Sequence, residues 1–187
     1  INMTDVDLGD ASLELYPAGS ASSSVASASG DNAIFDNIDA GDMKMRNIQP
    51  GLFNDVSVGD FKITGDPAVA TDVVYFVGLN AEEVVMDDGC GWNARFDSMT
   101  ADLFASVGCS ASRSQIVIAD STIGHTSTTQ SVFYALNSDI TIGETAVTST
   151  ATLGTNNIYL AQVDTNSNIR LVEVTQDGDA CADSSGA

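Results

Sequence analysis

Along most of this chain apolar and polar residues alternate with a period of two, as they do on half-buried β-strands, and not with the 3.6-residue period of a helix. In "DVDLGDASLELYPAG", Leu13 and Leu15 alternate with Ser12 and Glu14 before Pro17 and Gly19 end the segment. From 42 to 48, Met43, Met45 and Asn47 share one face while Asp42, Lys44, Arg46 and Ile48 share the other, and "QPG" (49–51) predicts a turn. "DVSVGDFKITGD" offers Val56 and Val58, then Phe61 and Ile63, with Gly59 as a bulge between the two phases. "ATDVVYFVGL" is continuously apolar and predicts a buried strand. Strands resume in "SQIVIAD", "QSVFYAL", "DITIGETAVTS", "NIYLAQVD" and "NIRLVEVTQ", separated by Asp, Asn, Gly and Ser.

One segment departs from the pattern. In "FDSMTADLFASVGC", Asp97 or Ser98 can cap and Met99, Leu103, Phe104 and Val107 recur at helical spacing up to Gly108, which predicts a short helix. No internal repeat of fixed period is visible, which argues against a solenoid or propeller. The expected fold is therefore all-β, a β-sandwich or jelly-roll-like domain with one short helix. "SASSSVASASG" has little to bury and reads as a tether. It divides the chain into an arm with an extended N-terminal strand (1–30) and a β-sandwich domain (31–187).

Composition narrows the partners. The 187 residues carry 26 acidic and 6 basic side chains, a formal net charge of −20. A polyanion such as nucleic acid needs the opposite field, so it is excluded as a partner, and an anionic membrane surface is disfavoured for the same reason. Self-repulsion at this charge suits a saline or cation-rich exterior. No apolar run approaches the roughly 18 residues of a membrane span. The start at Ile1 is consistent with removal of an export signal. Asn2-Met3-Thr4 forms a glycosylation sequon.

Cys90, Cys109 and Cys181 lack metal-site spacing. The most economical pairing is Cys90–Cys109, which fits an oxidising compartment and leaves Cys181 over. Trp92, in "DDGCGW", is expected to pack in the core beside that disulfide. His125, the only histidine, lies in the turn-like "STIGHTSTT" without a second ligand at helical spacing, and is expected to be an ordinary loop residue. No nucleotide-binding, nucleophile-elbow or zinc-protease motif is present, so no catalytic residue is assigned. Aspartate clusters offer the oxygens that a hard cation takes, and calcium is the ion they suit. They are Asp5, Asp7 and Asp10; Asp36, Asp39 and Asp42; and Asp177, Asp179 and Asp183.

"FDNIDAGDMKMRNIQPG" followed by "VGDFKITGDPAVATDVVYF" resembles the start of the TasA/camelysin-like extracellular filament proteins, which include archaeal bundling pili. Phe35, Ala40, Gly41, Met43 and Met45 occupy the first motif, Pro50 and Gly51 the turn, and Phe61, Ile63 and Gly65 the second strand. The likeness spans about residues 31–80, with Met-Lys-Met where the family has Leu-Asp-Leu. It implies a non-enzymatic subunit of an extracellular filament or pilus that polymerises head-to-tail, the N-terminal strand of one copy completing the sheet of the next. Copies of the same chain are then the partners, and Val6, Leu8, Leu13, Leu15 and Tyr16 the interface. Two other classes share the absence of catalytic motifs: a virion capsid or surface β-sandwich, and a secreted carbohydrate- or cation-binding module.

Overall fold

The computed structural model describes residues 2–15, 33–46, 50–65, 73–150, 153, 159–176 and 179–180. All the regular structure among them is β, arranged in three sheets. The first sheet holds β1 (Asn2–Asp7), β3 (Ala33–Asp39), β5 (Pro50–Ser57), β7 (Val74–Val77), β9 (Asn93–Asp97), β12 (Ser114–Ala119), β15 (Ser138–Gly143) and β18 (Asn168–Val172), in that order. The second runs β2 (Leu13–Leu15), β4 (Met43–Arg46), β6 (Asp60–Thr64), β8 (Glu83–Gly89), β11 (Leu103–Gly108), β14 (Phe133–Leu136) and β17 (Ala161–Val163). The third is short: β10 (Thr100–Ala101), β13 (Thr122–His125), β16 (Ala146–Ser149), β19 (Thr175–Gln176) and β20 (Asp179–Ala180).

Every pairing between these strands is parallel except β19–β20. Each strand of the first sheet pairs with the strand one coil later, and the second sheet does the same. The chain thus winds as a β-solenoid whose coils stack in register. This replaces the expected sandwich or jelly roll, which would need antiparallel hairpins. Two facing sheets around one core do survive from that expectation.

The repeat has no fixed period in the sequence, against the expectation that excluded a solenoid, because its motif is regular and its spacing is not. One inward row of the first sheet reads Met3, Phe35, Phe53, Phe76, Phe96, Ile118, Ile142 and Leu171, each in register with the next. The steps vary from 18 residues (Phe35 to Phe53) to 32 (Met3 to Phe35). Two residues beyond each row member the backbone turns through the left-handed region. Asp5, Asn37, Asp55, Gly78, Ser98, Asp120, Glu144 and Glu173 occupy that corner, with φ between 47° and 66°. Asp, Asn and Gly tolerate such a φ better than other residues. At Gly78 a Cβ would also meet the Asp55 carboxylate at 2.6 Å. The chain therefore carries eight copies of a short pattern: a large apolar residue, any residue, a left-handed corner, and then a residue turned inward again.

The segment expected to be a helix is β9's end, β10 and β11. Its helix-like apolar spacing arises because the corner at Ser98 resets the strand phase, so Met99 and Ala101 point inward after Phe96 has done so. Pro50 and Gly51 open β5 and do not form a turn; a proline is tolerated at the first position of a strand. Residues 2–7 and 13–15, expected to reach for another copy, pair with β3 and β4 of their own chain. The tether that followed them lies outside the described residues.

The core is one cluster lying between the sheets. Phe53 and Phe76 sit 4.9 Å apart, Phe76 and Phe96 4.6 Å apart and stacked, and Phe61 of β6 meets Phe53 edge-on at 5.3 Å. Gly41 is required where the Asp10 carbonyl passes, since a Cβ there would lie 2.3 Å from that oxygen.

Candidate functional site

Residues that alternate with the core on the second sheet form its outer face. Because the strands are parallel and in register, they align in rows running along the solenoid. One row is Glu14, Lys44, Lys62, Val85, Ala105, Tyr134 and Gln162. Its early part is basic. Lys44, Arg46, Lys62 and Thr64 border a shallow depression of about 290 Å³. Lys62 Nζ donates to Asp87 at 2.6 Å, and Lys44 lies 3.9 Å from Glu14. Arg46 is exposed and has no ion pair among the described residues.

The later part of the same row borders a groove of about 340 Å³. It is lined by Val85, Leu103, Ala105, Thr129, Gln130, Ser131, Tyr134 and Gln162, with Glu83 as its one acidic residue. Leu103 is in register with Glu83 on the outer face, yet it is only 4% exposed. The 126–132 connection holds its own shape: Ser127 Oγ accepts from the Thr129 and Gln130 amides, and Ser131 Oγ donates to Gln162 Oε1. Burial pushes the Glu83 carboxyl above its ordinary value, and the charges of Asp60, Glu82 and Asp102 push it the same way. Negative charge is therefore crowded around Glu83 itself.

The residues singled out from sequence are distributed otherwise. Val6, Leu13 and Leu15 are half-buried against the core, Leu8 is exposed, and Tyr16 lies outside the described residues. Asp5 accepts from Asn37 Nδ2, Asp36 from Asn54 Nδ2, Asp7 from the Gly9 amide and Asp42 from the Asp60 amide. Asp39 stands beside Asp7 across the β1–β3 pair, and Asp10 follows on the turn after β1. Among the described residues no three His, Cys, Asp or Glu side chains gather as a metal site would require. Cys181, Asp177 and Asp183 lie outside the described residues.

Cys90 and Cys109 form a disulfide. Trp92 is buried and its indole N–H donates to the Gly65 carbonyl at 2.9 Å. His125 is not a loop residue: it lies on β13, wholly buried, with Nδ1 3.0 Å from the Asp102 carbonyl. Asn2 is exposed on β1, and the Thr4 hydroxyl donates to its side-chain oxygen. The groove residues Glu83, Ala105, Tyr134 and Gln162 were not singled out from sequence, and Leu103 was read only as part of a helix face. Only the recurrence of strand pairs, once aligned by their corners, would have put them on one face.

The chain matches no protein-family model, no curated protein and no solved structure.

Proposed function

We propose that this chain is a non-enzymatic structural subunit of an extracellular filament, and that copies add head-to-tail by stacking the first coil of one on the last coil of the next. The observation that carries this reading is the pair of open sheet edges. Among the described residues β1 and β2 have a neighbour on one side only, as do β18 and β17 at the other end. Such edges template further strands, and a head-to-tail contact that does not close grows into a fibre. Continuing the register would set Met3 beside Leu171 in the core row and Asn2 beside Arg170 outside. The N-terminal strand remains the contact, as an edge and not as a donated arm, because its other side is already paired. The disulfide supports an extracellular setting.

The same register would place Asp5 beside Glu173, so end-on growth needs salt or cations to screen that repulsion. The test is electron microscopy of the chain across a salt series, together with an Asn2→Cys/Arg170→Cys variant in a Cys181→Ala background. Fibres at high salt and a ladder of covalently linked multimers, absent from either single-cysteine variant, are the expected result. A chain that stays free of fibres and of such cross-links at every salt concentration would sink the reading.

A further inference from the structure

Four successive strands of the second sheet, β8, β11, β14 and β17, contribute side chains to the groove, so it crosses the strands and follows the solenoid. With strands roughly 4.8 Å apart, three spacings give it a length of about 14 Å. Its volume of about 340 Å³ is that of a small-molecule site. Val85, Leu103 and Ala105 supply apolar surface, Tyr134 a ring, and the 129–131 segment with Gln162 supplies hydroxyls and amides.

This lining discriminates among occupants. β8, β11 and β14 are hydrogen-bonded on both sides, so an extended peptide laid across them finds no main-chain partner. An anionic ligand would meet Glu83 amid the charges of Asp60, Glu82 and Asp102, on a molecule with a net charge of −20. Glu83 is the one acid in the lining and stands on the first of the four strands, so no second acid fixes an organic cation along the rest of the length. A purely apolar ligand would leave the amides and hydroxyls unpaired. An uncharged chain with C–H faces and hydroxyl edges satisfies both kinds of lining. We propose that the groove binds a two- or three-ring stretch of a neutral saccharide, with one ring against Tyr134.

The site is formed in advance. The Thr126 hydroxyl donates to the Asp102 carboxylate, and the Val132 amide to the Tyr159 carbonyl at 3.0 Å, which fixes both ends of the connection that carries residues 129–131. Ser131 Oγ donates to Gln162 Oε1 at 3.0 Å, which occupies that oxygen and leaves the amide N–H groups to donate. The Tyr134 hydroxyl and the Gln130 side-chain amide make no hydrogen bond among the described residues, so both can serve a ligand. Little ordering is then needed on binding. The groove is complete within one copy, so it holds or fails independently of end-on stacking.

The experiment is isothermal titration of the full chain with cellotriose, maltotriose and mannotriose, and with trigalacturonate and spermidine as charged controls. Saturable binding of at least one neutral trisaccharide, and of neither control, is expected. Tyr134→Ala and Ala105→Gln, the first removing the ring and the second crowding the groove, should each raise the dissociation constant by at least about tenfold. Arg46→Ala, outside the groove, should leave it unchanged. Circular dichroism matching the parent chain establishes that the variants fold. Absence of saturable binding for all three neutral sugars, binding of a charged control in their place, or a Tyr134→Ala chain that binds like the parent would each overturn the proposal.

Discussion

The two ends of the solenoid are built from different interiors. Coils up to about residue 105 are filled by large apolar groups, with Phe35, Phe53, Phe61, Phe76, Phe96 and Phe104 in a chain of ring contacts. Later coils carry Ile118, Ile142 and Leu171 in the same row, together with every buried polar side chain among the described residues: Ser106, Ser114, Ser121, His125, Ser131, Ser138, Thr145 and Ser167. The residue after the corner shows part of the difference. In the early coils the residue after the corner is Val6, Ile38, Val56, Leu79 or Met99, which closes the interior directly. In the later ones it is Ser121, Thr145 or Val174, and the two hydroxyls donate to the carbonyls of Ala119 and Gly143. Ser121 Oγ also accepts from the Met99 amide. Where that residue is polar, its buried hydroxyl serves nearby backbone groups as a hydrogen-bond partner.

If that contrast is right, the most damaging single change lies in the aromatic half. Phe53→Ala opens a cavity against Phe35, Phe61 and Phe76 and should cost about 3–5 kcal/mol, against about 0.5–1.5 kcal/mol for Ile142→Val in the other half. Denaturant unfolding measures both. Hydrogen exchange should show the first loosening coils around 35–76 while amides near 140–171 stay protected, since solenoid coils depend mainly on their neighbours. Next is the junction. Removing the Cys90–Cys109 disulfide, which spans 19 residues, should cost about 3 kcal/mol, read as a lower unfolding midpoint on reduction.

A smaller loss is expected from Ser121→Ala, which leaves the buried Met99 amide without its acceptor and should cost about 1–3 kcal/mol. Equal tolerance of serine removal and phenylalanine removal would break the comparison. Smaller still is a gain. Glu144 is poorly suited to its left-handed corner, so Glu144→Asn should stabilise by up to about 1 kcal/mol.

The pH response is the finest probe. Glu83 is held above 4.5 by burial and neighbouring acids, and Glu144 by a hydrogen bond with Asp120 and the charges of Asp120 and Glu173. In the window just above 4.5 the folded chain holds these protons more tightly than the unfolded one, so stability falls as pH rises through that window. Asp164 is held below 3.8 by the Ser167 hydroxyl, so its contribution is present above that value and is lost as pH falls through its lowered value. Thermal unfolding from pH 3 to 7 should therefore peak between the two windows. Glu144→Gln should flatten the upper limb.

Much of the strand content was legible. Period-two alternation put Met43 and Met45 on one face and Lys44 and Arg46 on the other, and the structure buries the first pair and exposes the second. So does the reading of Cys90 and Cys109, because closing one modest loop was the simplest use of two nearby thiols. The direction of pairing was not legible. An alternating strand looks the same whether its neighbour runs with it or against it, and the turn residues that suggest a hairpin here sit at the corners of a coil. The false helix at 97–107 has the same origin, since a left-handed corner shifts the inward phase by one residue and imitates a longer period.

What the sequence alone determined is which side chains face inward, because hydrophobic burial acts residue by residue and leaves its mark in local alternation. Which coil lies on which was decided only in three dimensions. Lys62 and Tyr134 share a row because loops of unequal length are taken up between identical corners, and loop length costs little enough free energy that the local sequence need not record it.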